Sequence, residues 1–147
     1  MEIKWHLESF EHLMNDEIWQ IYARRVQVFV VEQNRAFQEI DKLDKHAFHL
    51  WATDENDKVV AYARIYREED YISFGRVLTT PDTRGTGMGK QLMDHVMKAI
   101  ADVFPGEPVK IHAQADKQHF YEKFGFVAHG DEYTHIHTPH IFMVKEK

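Results

Sequence analysis

Residues 84–89 read Arg-Gly-Thr-Gly-Met-Gly, three alternating glycines behind an arginine. Glycine has no Cβ, so backbone N–H groups can approach a ligand closely and positive φ costs little. A helix starting at such a loop adds unpaired N–H donors and the positive end of its macrodipole. The implied chemistry is capture of a phosphate-like anion by Gly85, Thr86, Gly87, Met88, Gly89 and Lys90, with Arg84 adding a charge-assisted contact. Two familiar phosphate loops do not fit. Gly89-Lys90 is followed by Gln91 where a P-loop needs a hydroxyl, and Gly85, Gly87 and Gly89 miss the third spacing of Gly-x-Gly-x-x-Gly. A second group of residues invites metal chemistry: in His135-x-His137-x-x-His140 the first two imidazoles could share a strand face. No cysteine or close carboxylate pair completes that set except Asp131 or Glu132, so hydrogen-bonded or solvated histidines are expected there, and no metal.

The glycine loop is useful only if a strand delivers it and a helix leaves it. Tyr71 to Thr79 reads as that strand, and from Gly87 to Phe104 the apolar spacing turns helical, with Leu92, Val96, Ala99, Ile100 and Val103 on one face until Pro105-Gly106. Upstream, Ile3 to Leu7 alternates as a half-buried strand. Asn15-Asp16-Glu17 offers an N-cap and acidic first turn to a helix with Ile18, Ile21, Tyr22, Val26 and Phe29 on its apolar face. The β-branched run from Val28 to Val31 blurs the end of that helix. Residues Glu32 to Ala47 read as a long polar loop with at most a short helical turn. Phe48 to Thr53 and Lys58 to Tyr66 are strand runs joined by short polar turns, which favour antiparallel neighbours. Val109 to Ala115 is a strand, Gln118 to Phe124 a short helix ended by Gly125, and Phe126 to Tyr133 and Ile141 to Val144 are the last strands. The order β-α-β-β-β-α-β-α-β-β predicts an α/β (α+β) fold, antiparallel in its first half with a βαβ unit in its second.

Composition narrows the function. The 147 residues suit one domain over 1–147, and cysteine is absent, which removes thiolate nucleophiles, disulfides and Cys-based metal sites. With Lys+Arg 18 against Asp+Glu 24, the charge of −6 argues against nucleic-acid binding and suits a cationic small substrate. There is no apolar run long enough for a membrane span, and the start Met1-Glu2-Ile3-Lys4-Trp5-His6 lacks a signal-peptide layout, so the cytoplasm is the expected location.

Arg-x-x-Gly-x-Gly after a strand resembles the acyl-CoA pyrophosphate loop of the GNAT N-acetyltransferases. A second stretch, Gln114 through Phe120-Tyr121-Glu122-Lys123-Phe124-Gly125-Phe126, is similar to the Asn-x-x-Ala-x-x-Phe-Tyr-x-x-x-Gly-Phe signature of that family. It keeps Phe120-Tyr121 and Gly125-Phe126 in register and departs with Gln114 for Asn and Lys117 for Ala. Phe29-Val30-Val31-Glu32-Gln33, Gln38-Glu39-Ile40-Asp41 and Pro139-His140-Ile141 resemble the ElaA-like branch. The resemblance implies a mixed central sheet splayed between the fourth and fifth strands and flanked by helices, with acetyl-CoA as co-substrate. Val77, Leu78 and Thr79 would offer backbone groups to the pantetheine arm and the thioester carbonyl, Gln114 would replace the usual Asn beside that arm, and Phe120 would border it. Tyr121 would protonate the leaving thiolate, its phenol being neutral at pH 7 with a reference pKa of about 10. His112, which alternation puts on one strand face with Gln114, is a candidate base. Glu39 and Asp41 could bind or deprotonate a cationic amine. The expected acceptor is a small-molecule amine or peptide, and a homodimer is expected by family habit. Two other functions share this scaffold: an acyl-homoserine-lactone synthase, which Glu39 to Asp44 faintly resembles, and a CoA-binding module without catalysis.

Overall fold

A meander of four strands, β1 (Lys4–Ser9), β2 (Phe48–Thr53), β3 (Val59–Arg67) and β4 (Ile72–Thr79), forms one sheet of the computed structural model, which describes residues 2–146. Every pairing in it is antiparallel. β2 and β3 are apolar almost throughout because both faces of this sheet are covered, which removes the usual polar alternation. On one face α2 (Met88–Val103) sets Leu92, Met93, Val96 and Ile100 in a core with Leu50, Ala61 and Ala63. On the other, Ile21 of α1 (Asn15–Val26) and Val28 and Phe29 just beyond it join Trp51, Tyr62 and Leu78. No helix among the described residues is long and apolar enough to cross a membrane.

The second half contains β5 (Lys110–Gln114), α3 (Gln118–Glu122), β6 (Phe126–His135) and β7 (Thr138–Lys145). Its three strands lie in the order β5-β7-β6, again antiparallel. The two sheets meet at one parallel bridge, Ile72 to Val109, with the Ile72 N–H donating to the Pro108 carbonyl at 2.8 Å. Past that point β4 and β5 diverge, and the expected splay between the fourth and fifth strands is present. The expected βαβ unit is therefore reduced to a crossover that ends in a single bridge.

Local chemistry explains the other departures from the sequence reading. The cap of α1 is Met14, whose N–H donates to Glu17 Oε1 at 2.8 Å, so Asn15 is the first helical residue. The blurred end of α1 is a change of winding: Gln27–Glu32 is π-helical, and Arg35 N–H donates to the Val30 carbonyl, five residues back, at 3.0 Å. Val103, expected on the buried face of α2, is exposed. β6 and β7 extend to a two-residue turn at Ile136-His137, where both residues have positive φ (48° and 62°). Such turns ordinarily show Asn-Gly, so this hairpin carried no turn signal.

The loop between α1 and β2 is fixed by buried ions. Arg25 is fully buried. Its Nε donates to Glu39 Oε2 at 3.0 Å, Nη1 to Asp44 Oδ1 at 2.6 Å, and Nη2 to Asp44 Oδ2 at 3.1 Å and the Glu39 carbonyl at 3.2 Å. Asp44 also accepts from Arg64 Nη1 at 3.1 Å, and Arg64 grips Asp41 at 2.7 and 3.2 Å. Arg76 adds Nη2 to the Glu39 carbonyl at 2.9 Å, while its Nε lies 2.7 Å from Glu39 Oε2 as an ion contact with poor hydrogen-bond alignment. Three guanidinium groups thus face three carboxylates, and their charges cancel. Beneath them His49 Nδ1 lies 2.6 Å from Tyr62 Oη and Nε2 lies 2.9 Å from the Asp44 carbonyl. The carbonyl can only accept, so Nε2 carries the proton and Nδ1 accepts from the tyrosine.

Breaking a buried pair by removing one partner costs far more than the pair is worth, because the remaining charge stays buried. Arg25→Met leaves Glu39 and Asp44 short of their shared cation and should destabilise the protein by about 3–5 kcal/mol, read as a lower urea midpoint at unchanged slope. An unchanged midpoint would show that the network is dispensable. Burial holds His49 below the usual imidazole range, against the opposing pull of Asp44. The unfolded chain therefore binds more protons as pH falls from about 6.5, and stability should decline there. Asp44 is held below the usual carboxylate range although burial pushes it up, because Arg25 and Arg64 outweigh burial. Its share of stability is lost only below about pH 4. Urea midpoints between pH 8 and 5 should fall in the parent and stay flatter in His49→Gln, and equal slopes would remove His49 as the cause.

Candidate active site

The divergence of β4 and β5 opens a cleft of about 710 Å³. Phe74 to Thr79 line one wall and Ile111 to Gln114 the other, with Phe120 and Tyr121 of α3 and Val28 and Phe29 closing its sides. β4 is irregular at this place. Gly75 pairs with Arg64 and Leu78 with Tyr62, so Arg76 and Val77 together oppose Ala63 alone. Arg76 takes φ 51°, the left-handed conformation that lets a strand bulge. The bulge leaves ladder groups unpaired and turns the Arg76 side chain toward the Glu39–Asp41 loop.

At one end of the cleft lies the glycine loop. Gly85 and Gly87 have φ of 81° and 88°, a conformation costly for a side-chain-bearing residue, and nothing lies within 4 Å of where a Cβ would stand. Gly87 caps α2, and the first α-helical bond there runs from Gln91 N–H to the Gly87 carbonyl at 3.1 Å. The N–H groups of Met88, Gly89 and Lys90 are therefore free of helical partners, which suits a phosphate-bearing ligand. The Met88 side chain is buried in the core, and Lys90 Nζ turns away to Asp94 at 3.0 Å, so both present backbone alone. A Cβ on Gly89 would stand 3.5 Å from the Phe120 ring, which ties the loop to α3. Of the loop residues, Arg84 and Gly89 line the cleft itself, while Gly85, Thr86 and Gly87 are exposed at its mouth. Arg84 donates to the Thr79 carbonyl at 3.1 Å and to the Glu32 carboxylate at 2.7 and 3.2 Å.

Tyr121 is buried against Phe74, Phe120 and Phe126, with ring centroids 6.1, 5.1 and 6.2 Å away. It lines the cleft, no hydrogen bond to its hydroxyl is formed among the described residues, and burial pushes its phenol well above the usual range. His112 sits on the same face of β5 as Gln114, and both line the cleft. Its Nδ1 lies 2.6 Å from Tyr133 Oη and its ring rests 5.0 Å from Phe142. Burial, followed by His135, holds it below the usual imidazole range against Glu68.

Val77, Leu78, Thr79, Arg84, Gly89, His112, Gln114, Phe120 and Tyr121 are thus brought to one cleft. Glu39 and Asp41 are not. Glu39 is buried and engaged by Arg25 and Arg76, and Asp41 is held by Arg64. Neither lines the cleft, whose wall there is made by Arg64 and Arg76 instead. Among the described residues no three His, Asp or Glu side chains form a metal-holding group; His135 and His140 meet edge to face at 5.2 Å, and His137 is exposed in the turn. Sequence reasoning missed Arg35, Arg64 and Tyr133 in the cleft wall. The signal for Arg64 was its complement of loop acids, Asp41 and Asp44, whereas Arg35 has no acid partner among the described residues that could have marked it.

Known proteins share this arrangement. The acetyltransferase (GNAT) domain family matches residues 13–147. ElaA of Escherichia coli is 35% identical, over 98% of this chain and 97% of its own length, and a UPF0039 protein of Synechocystis is 35% identical over 98% and 96%. The solved structure of an acyl-CoA N-acyltransferase from Pseudomonas aeruginosa superposes with a TM-score of 0.94 at 33% identity, covering 99% of this chain and 100% of that one. That of Escherichia coli ElaA gives 0.91 at 35% identity, again covering 99% and 100%. A CoA-dependent acyl-homoserine-lactone synthase, BjaI, shares the fold with a TM-score of 0.80 at 19% identity. The chain belongs to the GNAT acetyltransferase family, in the branch that contains ElaA.

Proposed function

We propose that the protein transfers an acetyl group from acetyl-CoA to a primary amine by direct attack within a ternary complex. The observation that carries this is one cleft holding three things: a bare helix start, an unpaired strand edge and an unengaged tyrosine hydroxyl. Acetyl-CoA supplies an activated thioester when bound. The free N–H groups of Met88, Gly89 and Lys90 suit its pyrophosphate, with Arg84 a cation of the same loop that lines the cleft. Beyond Ile72 the cleft-side edge of β4 has no strand partner among the described residues, so backbone groups of Val77 and Thr79, the Thr79 carbonyl being shared with Arg84, suit an extended arm that adds as a pseudo-strand, with Gln114 opposite.

Acyl transfer needs a neutral amine, donors for the developing oxyanion and a proton for the leaving sulfur. The bulge supplies backbone N–H groups near Leu78 that are released from the ladder. The amine nitrogen bonds to the carbonyl carbon, the carbon–sulfur bond breaks, and the Tyr121 hydroxyl gives its proton to the departing thiolate. Burial favours this role in one respect: it keeps the phenol protonated across the physiological range. The surplus amine proton passes to His112, which its depressed pKa keeps neutral at pH 7, or to water.

Free-thiol release from acetyl-CoA against a broad amine panel tests the reading. Tyr121→Phe should lower kcat by about a hundredfold with little change in acetyl-CoA affinity. A rate equal to the parent's would remove Tyr121 from the acid role, and acetyl-CoA binding without thiol release for any amine would favour a binding module.

A further inference from the structure

The cleft is unevenly charged. Arg35, Arg64, Arg76, Arg84 and Lys117 line it, against Glu32 as the one acid in its described lining. At the glycine-loop end Arg84 and Glu32 neutralise each other. At the opposite end Arg64 and Arg76 are balanced by the three loop carboxylates, which they share with Arg25. Arg35 stands outside that balance. Among the described residues its guanidinium meets no carboxylate; it donates only to neutral oxygens, those of the Gln33 side chain at 3.4 Å and of the His135 and Ile136 carbonyls at 3.4 and 3.1 Å. Its Nε is buried without a partner.

Two further observations bear on the charge around Arg35. The Phe37 ring lies against both Arg35 and Arg76, with guanidinium carbons 4.8 and 5.5 Å from its centroid, so the two cations border one aromatic ring. Two groups beside them are held against carrying positive charge. His135 is held below the usual imidazole range by burial and then by His140, Arg35 and Arg76, and Arg76 itself is lowered by burial and then by Arg64. A cationic acceptor would enter this end against repulsion; of the carboxylates once expected to attract it, Glu39 is buried and Asp41 is held by Arg64 outside the cleft lining.

The geometry points to an acceptor that carries its own anion: a primary amine bearing a carboxylate, which Arg35 receives with Arg76 beside it. The guanidinium fork matches a carboxylate, and an oxyanion here would supply the counter-charge that Arg35 lacks. This rests on the acetyltransferase reading and names its substrate class as amino-carboxylates, excluding diamines and polyamines.

Thiol release with acetyl-CoA, measured for aminoalkanoates, amino acids and dipeptides against their carboxamides and against diamines of equal chain length, is the test. The carboxylate member of a pair should show a kcat/KM about tenfold or more above its carboxamide. Arg35→Met leaves no carboxylate stranded, so it should fold; it should raise the acceptor KM and bring that ratio toward one while the acetyl-CoA KM stays put. Arg35→Lys should restore part of the preference, which a merely structural role would not. Diamines or carboxamides used as well as carboxylates, an unchanged ratio in Arg35→Met, or no thiol release with any carboxylate-bearing amine would each overturn the inference. Thiol release confined to diamines would do so while leaving the acetyltransferase reading intact, whereas loss of acetyl-CoA binding itself in calorimetry would count against that reading.

Discussion

Everything in the cleft depends on burying Arg25. A fully desolvated guanidinium is tolerable only with its donors satisfied and its charge matched. Glu39 and Asp44 do both, and in doing so they draw the loop between α1 and β2 down onto the sheet. Arg64 and Arg76 then neutralise what remains, one from β3 and one from the bulge of β4. A segment with little regular structure beyond the 3-10 turn Lys42–His46, capped by Asp41, is thereby fixed, and its ions become the foundation of the cleft wall.

The bulge is the second consequence. A strand that paired regularly through Arg76 would turn its backbone groups into the ladder and aim that side chain elsewhere. Positive φ at a non-glycine residue is unfavourable, and here the ion contacts of Arg76 with the Glu39–Asp41 loop accompany it. The same irregularity that releases backbone donors near Leu78 therefore also brings a cation to the cleft. The single bridge between the two sheets sets how wide the space beside it can open.

The parts legible in the sequence were those governed by local rules. The helical spacing of Leu92, Val96 and Ile100 and the strand runs at Phe48 and Lys58 follow from periodicity, and the glycine loop from the conformational freedom of Gly85 and Gly87. What escaped was non-local or contrary to residue preference. Arg25 occupies the buried face of α1, one turn after Ile21, where helical periodicity marks apolar residues only. Glu39 and Asp41 read as acids open to a cationic amine because the arginines that engage them lie far away in the chain. Ile136-His137 forms a tight turn with residues that ordinarily avoid positive φ, so the hairpin that carries Tyr133 and His140 had no marker.

The pair between Arg84 and Glu32 has a consequence for how salt acts on this protein. Both side chains are roughly two-fifths exposed, so mobile ions screen their attraction. An incoming pyrophosphate would have to win Arg84 from Glu32, and added salt weakens both the bond being given up and the bond being formed. The two dependences oppose each other. Donor capture at this helix start should then respond to ionic strength more gently than at a site whose arginine waits unpaired, so Glu32 serves as a buffer against changes in the surrounding electrolyte.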